Sequence, residues 1–404
     1  MTEKERQVHS KDAYLYCISR MLERTSYYGI LTILILYLVD GGIKMEPSEA
    51  TEIYAIFISG FLLSKVLGAI IGDLLIGNKQ SIILGSTLQA LGMFSLCLTS
   101  TTGIYIGLSL IVIGGGLYSP NIISNFGKLY LKKPKLLDAG YLMLYLAFLL
   151  GTVLGLILLG YLSDEYGWSI SFVFSGFLMV LSIIPLLLLK EKSPRRMMNN
   201  ELKIKTRVVN VAVAFLFIGL FWLFFEISNF GAENLVIEFK MNSSIAISSN
   251  LWSILDSASY VPFALVAVIL WTYFYSSQFY KLLIAIIFGA LSFAILLFIP
   301  ENPESVHLIL YILSIMLLRI SEVHITPLVH SILAKYSNPK YLAIFISLAF
   351  IPTRIFFILY LAVFHNGFLD IEPSFYILLG MSGMIVLMFA VFLYCRINKI
   401  NYLQ

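Results

Sequence analysis

The chain has 404 residues, of which 59% are hydrophobic and only 12% are charged. Soluble globular domains carry about 25% charged residues, so this composition excludes an ordinary soluble domain and indicates an integral membrane protein. The formal net charge of +4 is too small to indicate a nucleic-acid-binding protein.

Apolar stretches long enough to cross about 30 Å of hydrocarbon recur along the whole chain. They predict twelve membrane-spanning helices, at residues 13–39, 48–71, 81–98, 103–125, 138–162, 168–189, 208–230, 249–275, 280–299, 306–333, 341–364 and 374–395. The residues before the first span are polar and lead directly into it, so we expect no cleavable signal peptide.

Lysine and arginine outside the spans are concentrated in alternate loops. The linker after span 6 is the most basic, whereas the loops on the other side hold only Lys44 and Lys240. Because positive charge is retained on the cytoplasmic side of a membrane, this bias predicts that both termini are cytoplasmic. We expect a multi-pass protein of the cell inner (plasma) membrane.

The first span carries charges on one face. Arg20, Glu23, Arg24 and Tyr27 follow one another at i, i+3, i+4 and i+7, which places them together on a helix. A charge at the centre of a bilayer costs about 2.5–3.5 kcal/mol, so such a face is normally turned towards a polar cavity or partner. The pattern predicts a pathway for a solute.

A basic linker at 193–207 divides the spans six and six. It predicts an N-terminal six-helix bundle at 1–192 and a C-terminal one at 208–404. Two six-helix halves around a midplane cavity are what an alternating-access transporter requires. The arrangement resembles the major facilitator superfamily. The glycine-rich segment 68–79 between spans 2 and 3 resembles that superfamily's inner loop motif, with Leu74 where an arginine is usual.

Four further stretches resemble the signatures of the proton-dependent oligopeptide transporter family. They are ERTSYYG at 23–29 in span 1, GGGLYSPN at 114–121 with GKLY at 127–130 in span 4, FWLFFE at 221–226 in span 7, and EVHITP at 322–327 in span 10. Their order and their placement on the expected spans make the combination specific. The resemblance runs from about residue 20 to 350.

The resemblance implies an all-α membrane protein of twelve transmembrane helices in the major facilitator fold, and a gate between Arg24 of span 1 and Glu226 of span 7. It also implies that Glu322 binds the amine of the substrate. We assign proton coupling and gating to Glu23, Arg24, Glu226 and Arg20, and substrate contact to Tyr27, Tyr28, Glu322, Trp222, Asp256 and Ser119. In physical terms, a carboxylate that alternates between an arginine and a proton couples proton movement to opening of the gate.

The sequence departs from the family pattern at five positions. An arginine replaces the family's first glutamate in span 1, a serine replaces the span 4 lysine, leucines replace an arginine in span 1 and an asparagine in span 5, and an aspartate replaces an asparagine in span 8. The residues concerned are Arg20, Ser119, Leu31, Leu149 and Asp256. Arg319 lies one helical turn before Glu322, and we expect the two to pair in place of the missing lysine.

The first prediction is a secondary active transporter that takes up di- or tripeptides or peptide-like solutes with protons. The departures favour an alternative, a facilitator, exchanger or efflux carrier of the same fold for another small polar solute, with altered or lost proton coupling. A transport-dead membrane receptor is a third alternative.

The sequence contains no combination of residues that indicates an enzyme active site. Its three scattered cysteines indicate neither a disulfide framework nor a metal site. We expect a monomer that needs no cofactor beyond the proton gradient, and partners limited to substrate, protons and lipid, with no nucleic acid.

Overall fold

The computed structural model describes residues 8–41, 43–189, 203–242, 249–300, 304–364, 373–400 and 402–403. These residues form helices and connecting turns. The helices are α1 (Lys11–Asp40), α2 (Pro47–Ile70), α3 (Asn78–Ser95), α4 (Thr101–Lys128), α5 (Leu137–Tyr166), α6 (Trp168–Leu187), α7 (Ile204–Asn242), α8 (Ser249–Tyr273), α9 (Gln278–Leu296), α10 (Leu308–Tyr336), α11 (Leu342–Leu348), α12 (Ile351–Phe364) and α13 (Pro373–Ile397).

The predicted fold class, an all-α membrane protein, is confirmed. Within the described residues, eleven segments are helical, long and apolar enough to cross a membrane. The predicted third span corresponds to α3, which is not one of the eleven because it carries more polar residues. Its polar side chains Ser81, Ser86 and Gln89 are fully buried, and α3 packs against α4 and α6. These helices cover the polar face of α3.

The eleventh span, predicted at 341–364, consists of two helices. The chain forms α11, which ends at Leu348, and α12, which begins at Ile351. Pro352 explains the break, because its ring nitrogen cannot donate to the carbonyl of Leu348 and its ring collides with that carbonyl.

Local signals in the sequence set several helix ends. The hydroxyl oxygens of Ser10 and Ser100 accept hydrogen bonds from backbone N–H groups in the first turns of α1 and α4. Gly77 and Gly167 adopt positive φ angles of 90° and 86° between α2 and α3 and between α5 and α6. A glycine adopts this conformation without strain, so both short connections are possible.

The described chain divides into two compact units. The first unit comprises Met1–Met198 and Asn338–Ser347, and the second comprises Asn199–Ser337 and Leu348–Gln404. In the first unit α1 packs on α5 and α6, while α4 packs on α2 and α3; in the second, α9 packs on α10 and α13, while α7 packs on α10 and α12. The segment Asn338–Ser347 lies in the predicted C-terminal bundle but groups with the first unit, where Ile344 N donates to Asp73 Oδ2 at 3.0 Å.

Glycines allow α2 and α4 to approach each other closely. A Cβ atom at Gly116 would lie 1.9 Å from the hydroxyl oxygen of Ser64 and 2.3 Å from its carbonyl oxygen. A Cβ atom at Gly68 would lie 2.2 Å from the carbonyl oxygen of Gly116. Neither position has room for a side chain, so the two backbones touch as they do in other close helix pairs in membranes.

We expect Gly116→Ala to lower the stability of the protein by about 1–3 kcal/mol, because the new methyl group forces α2 and α4 apart. The measurement is the melting temperature of the purified protein in detergent. Gly383→Ala is the matched control. A Cβ atom there meets no atom within 4 Å, so removing a helical glycine should leave the melting temperature unchanged or raise it. Equal melting temperatures for the two variants would contradict this account.

Candidate functional site

A buried charge cluster, formed by Arg20, Glu23 and Arg24, lies on α1 of the first unit. The Glu23 side chain is 0% exposed, and Arg24 donates to both of its carboxylate oxygens at 2.5 Å. Arg20 Nη1 lies farther away, 3.5 Å from Glu23 Oε2. Two guanidinium groups share one carboxylate, so the cluster has a formal surplus of one positive charge.

Arg20 extends from α1 to α4. Its Nη2 donates to the hydroxyl oxygen of Ser119 at 3.4 Å, and its guanidinium lies 5.8 Å from the ring centre of Tyr118 and 5.6 Å from that of Phe148. Arg20 and Ser119 are both departures from the family pattern, and they are in contact. The guanidinium of Arg20 therefore lies beside Ser119, the position at which the family pattern has a lysine. The contacts of Tyr118 and Phe148 with Arg20 could not be predicted from the sequence, because aromatic residues are common in apolar spans.

The two adjacent tyrosines of α1 have different environments. Tyr27 is buried, and its ring lies 6.4 Å from Phe57 and 5.0 Å from Phe61. Tyr28 is half-buried and packs edge-on against Phe148 at 5.5 Å. Tyr27 is thus part of the hydrophobic core of the first unit, and Tyr28 is the more accessible of the two.

A polar network joins the end of α2 to α4. Asn78 Nδ2 lies 2.9 Å from Asp73 Oδ1 and 2.6 Å from Asn121 Oδ1, while Lys128 Nζ donates to Asn78 Oδ1 at 2.5 Å. Asn121 Nδ2 also donates to the carbonyl oxygen of Gly68 at 2.8 Å. Asn121, in the span 4 stretch that resembles a family signature, therefore connects two helices.

A second charge cluster, formed by Asp256, Arg319 and Glu322, lies between α8 and α10 of the second unit. Arg319 Nη2 binds Asp256 Oδ1, and Arg319 Nη1 lies 3.1 Å from Glu322 Oε2. The expected pairing of Arg319 with Glu322 is thereby confirmed. Two carboxylates share one guanidinium, so this cluster has a formal surplus of one negative charge.

Tyr260 completes the second cluster. It lies one turn after Asp256 on α8, its hydroxyl accepts a hydrogen bond from Arg319 Nη1, and its ring centre is 4.1 Å from the guanidinium carbon. Stacking on an aromatic face favours a partly desolvated guanidinium. The sequence signal for Tyr260 was its i+4 spacing from Asp256, a spacing that places both residues on one side of α8.

Burial differs strongly between the two acids of this cluster. The Glu322 side chain is 1% exposed, whereas that of Asp256 is 41% exposed. Glu322 Oε1 has no hydrogen-bond partner among the described residues. A buried carboxylate oxygen without a donor is costly, so this oxygen marks a position where a donor can bind.

The other predicted gating residue, Glu226, pairs within the second unit. Arg354 Nη1 lies 3.0 Å from Glu226 Oε1, and the two side chains are 54% and 22% exposed respectively. Arg24 is bound by Glu23 in the first unit. The predicted gate between Arg24 and Glu226 stays a prediction.

Trp222, a predicted substrate contact, and His324 both lie in aromatic surroundings. Trp222 of α7 packs edge-on against Phe221 and Phe225, with ring centres 5.9 and 5.0 Å away. His324 of α10 packs against Trp271, and its Nδ1 lies 2.7 Å from the carbonyl oxygen of Ile320. These contacts fit helix packing at His324. The role of Trp222 in substrate contact stays a prediction.

Comparison with known families and sequences gives a consistent picture. Residues 16–351 match the model of the Major Facilitator Superfamily. The chain is 32% identical over 174 residues to the peptide transporter YePEPT of Yersinia enterocolitica. The aligned region covers 41% of the chain and 34% of that protein. It is 29% identical over 179 residues to the dipeptide and tripeptide permease A of Pectobacterium carotovorum. Here the aligned region covers 43% of the chain and 35% of that protein. The chain thus matches about a third of the length of each of these relatives.

The fold is similar to that of solved transporters. A crystal structure of a POT family transporter in complex with a thioalcohol-conjugated peptide superposes with a TM-score of 0.62 at 19% identity, covering 97% of each chain. At this identity the likeness concerns the fold. It extends over 97% of the chain, a larger share than the sequence relatives cover.

Proposed function

Because the chain belongs to the Major Facilitator Superfamily, we propose that it is a secondary active transporter that takes up di- or tripeptides or peptide-like solutes together with protons. Its resemblance to the proton-dependent oligopeptide transporter family is confirmed by the peptide transporters among its relatives. The activity and the substrates are our inference for this chain.

The surplus negative charge of the second cluster carries the proposal. The cluster of Arg20, Glu23 and Arg24 has a surplus cation in the first unit, and the cluster of Asp256, Arg319 and Glu322 has a surplus anion in the second. A short peptide is a zwitterion, with a carboxylate that a guanidinium binds well and an ammonium that a carboxylate binds well. We assign the ammonium of the substrate to Glu322.

A second candidate function is an exchanger or facilitator of the same fold without proton coupling. It is favoured by one observation: the acids Glu23, Glu226, Asp256 and Glu322 each have an arginine partner within their own unit. An acid that is already neutralised by an arginine has less need to bind a proton when the carrier is empty. Proton coupling then requires one of these pairs to open during the transport cycle.

Uptake into proteoliposomes separates these functions. We expect the reconstituted chain to accumulate radiolabelled dialanine, and an inward gradient of one pH unit to raise the accumulation ratio about tenfold per coupled proton, because such a gradient contributes about 1.4 kcal/mol per proton. Uptake or exchange that is indifferent to the gradient supports the uncoupled carrier. Binding of dialanine without any uptake contradicts both and favours a receptor. Empty liposomes are the control.

The setting of the transporter is also part of the proposal. We infer that it lies in the cell inner membrane with both termini cytoplasmic, as the distribution of lysine and arginine indicates. It would act as a monomer in contact with lipid, with the proton gradient as its driving force and no bound cofactor. Labelling of single cysteines placed at each terminus, in intact and in opened cells, tests the orientation.

A further inference from the structure

The two clusters contain the same chemical groups but differ in how the arginine binds the acid. In the first unit Arg24 donates to both oxygens of Glu23, at 2.5 Å each, so neither oxygen is open. In the second unit Arg319 donates to one oxygen of Glu322, at 3.1 Å, and leaves Glu322 Oε1 without a partner among the described residues.

Arg319 has two further partners, Asp256 and Tyr260, both on α8. Arg319 divides its donors: Nη2 binds Asp256, while Nη1 serves Tyr260 and Glu322. The guanidinium also stacks on the ring of Tyr260, so two side chains of α8 hold it. Held in this position, the guanidinium contacts one oxygen of Glu322 and does not align its fork with both, which is the arrangement that an arginine and a carboxylate otherwise favour.

We propose that Asp256 is a positioning residue that determines specificity: it holds Arg319 away from Glu322 Oε1 and thereby keeps that oxygen open for the primary ammonium of a ligand. This inference rests on the proposed function for the kind of ligand, an amine-bearing peptide or peptide-like molecule. The negative charge of Asp256 is neutralised by the positive charge of Arg319, so the two side chains form a pair with no net charge. Glu322 alone then supplies the surplus charge.

The proposal leads to an unusual expectation for Asp256→Asn. This substitution installs the residue that the family pattern has at this position, yet it should impair the site. Without Asp256, Arg319 has only one acid to bind and can take both oxygens of Glu322, as Arg24 does with Glu23. Arg319→Gln in the same chain removes the cation and should reopen Glu322 Oε1. The double variant is therefore expected to bind better than Asp256→Asn alone.

The experiment compares two probes, dialanine and N-acetyl-dialanine, which differ in the ammonium group. Binding to the purified full chain in detergent is measured by isothermal titration calorimetry. The wild type is expected to bind dialanine about tenfold or more tightly than its acetylated form. Asp256→Asn should bring this ratio close to one, and Asp256→Asn with Arg319→Gln should restore it. Asp164→Asn, at an exposed position of the first unit, is the matched control and should leave the ratio unchanged.

Several results would overturn the proposal. One is a wild type that does not discriminate between the probes, and another is an Asp256→Asn variant that discriminates as the wild type does. A third is a double variant no better than Asp256→Asn. If Asp256→Asn does not fold, Arg319→Gln alone decides, because it should keep the ratio at or above the wild-type value, and a loss contradicts the proposal. Failure of the proposed function is distinct: it is a wild type that prefers dialanine in binding but does not transport it.

Discussion

Glu23→Gln is expected to lower the free energy of unfolding by about 3–5 kcal/mol, the usual loss when one partner of a buried ion pair is removed. Glu23 is fully buried and is the acidic partner of two buried arginines, Arg20 and Arg24. A neutral amide leaves both guanidinium groups in an apolar span without a counter-charge. The effect should appear as a much lower melting temperature in detergent and as a poor yield from the membrane.

Glu226→Gln is the matched control for this prediction. It makes the same chemical change in an ion pair with Arg354 whose side chains are 22% and 54% exposed. Pairs at exposed positions contribute about 0–1 kcal/mol, so the melting temperature should change little. Adding Arg20→Gln to Glu23→Gln removes one of the stranded cations and should recover part of the lost stability. A Glu23→Gln protein as stable as the wild type would show that Glu23 does not neutralise the arginines.

Glu322→Gln is expected to reduce uptake of dialanine about 30-fold or more, while the protein still folds. Truncating one partner of a buried charge pair at a binding site costs about 2–5 kcal/mol, which corresponds to a factor of that size or larger. Folding should survive because Arg319 retains Asp256 as its acidic partner. The measurement is the initial rate of uptake in proteoliposomes at equal amounts of reconstituted protein.

The control for Glu322→Gln is Glu304→Gln, which changes an exposed glutamate outside the spans of the second unit. Its uptake rate should equal that of the wild type. A wild-type rate for Glu322→Gln would contradict the assignment of the substrate ammonium to this residue. A protein that fails to fold would contradict the view that Arg319 is adequately held by Asp256.

Much of the fold is readable from the sequence because its signals are local. Hydrophobic stretches locate the spans, and Pro352 lies in the span that the described residues show as two helices, α11 and α12. The pairing of Arg319 with Glu322 follows from their separation by one helical turn, which places them on one face of α10. The charged face of α1 is equally local.

The parts of the site that escape prediction depend on distant contacts. Arg20 and Ser119 are 99 residues apart, and Arg319 and Asp256 are 63 residues apart. Arg20, Ser119 and Asp256 each look like a departure from a family pattern, and only the packing of α1 on α4 and of α8 on α10 shows which groups they contact. The difference between a two-oxygen and a one-oxygen contact at Glu23 and Glu322 has no counterpart in the sequence.

The buried polar face of α3 also has a consequence for biosynthesis. A helix enters the membrane from the translocon according to its own hydropathy, and α3 is less apolar than the spans around it. Its polar side chains lose contact with water or lipid headgroups only when α4 and α6 cover them. The connection between α3 and α4 is short, from Leu96 to Ser100, so the two helices are suited to enter the bilayer together as a hairpin. In this respect α3 and α4 form one unit of membrane insertion, in which the later helix supports the earlier one.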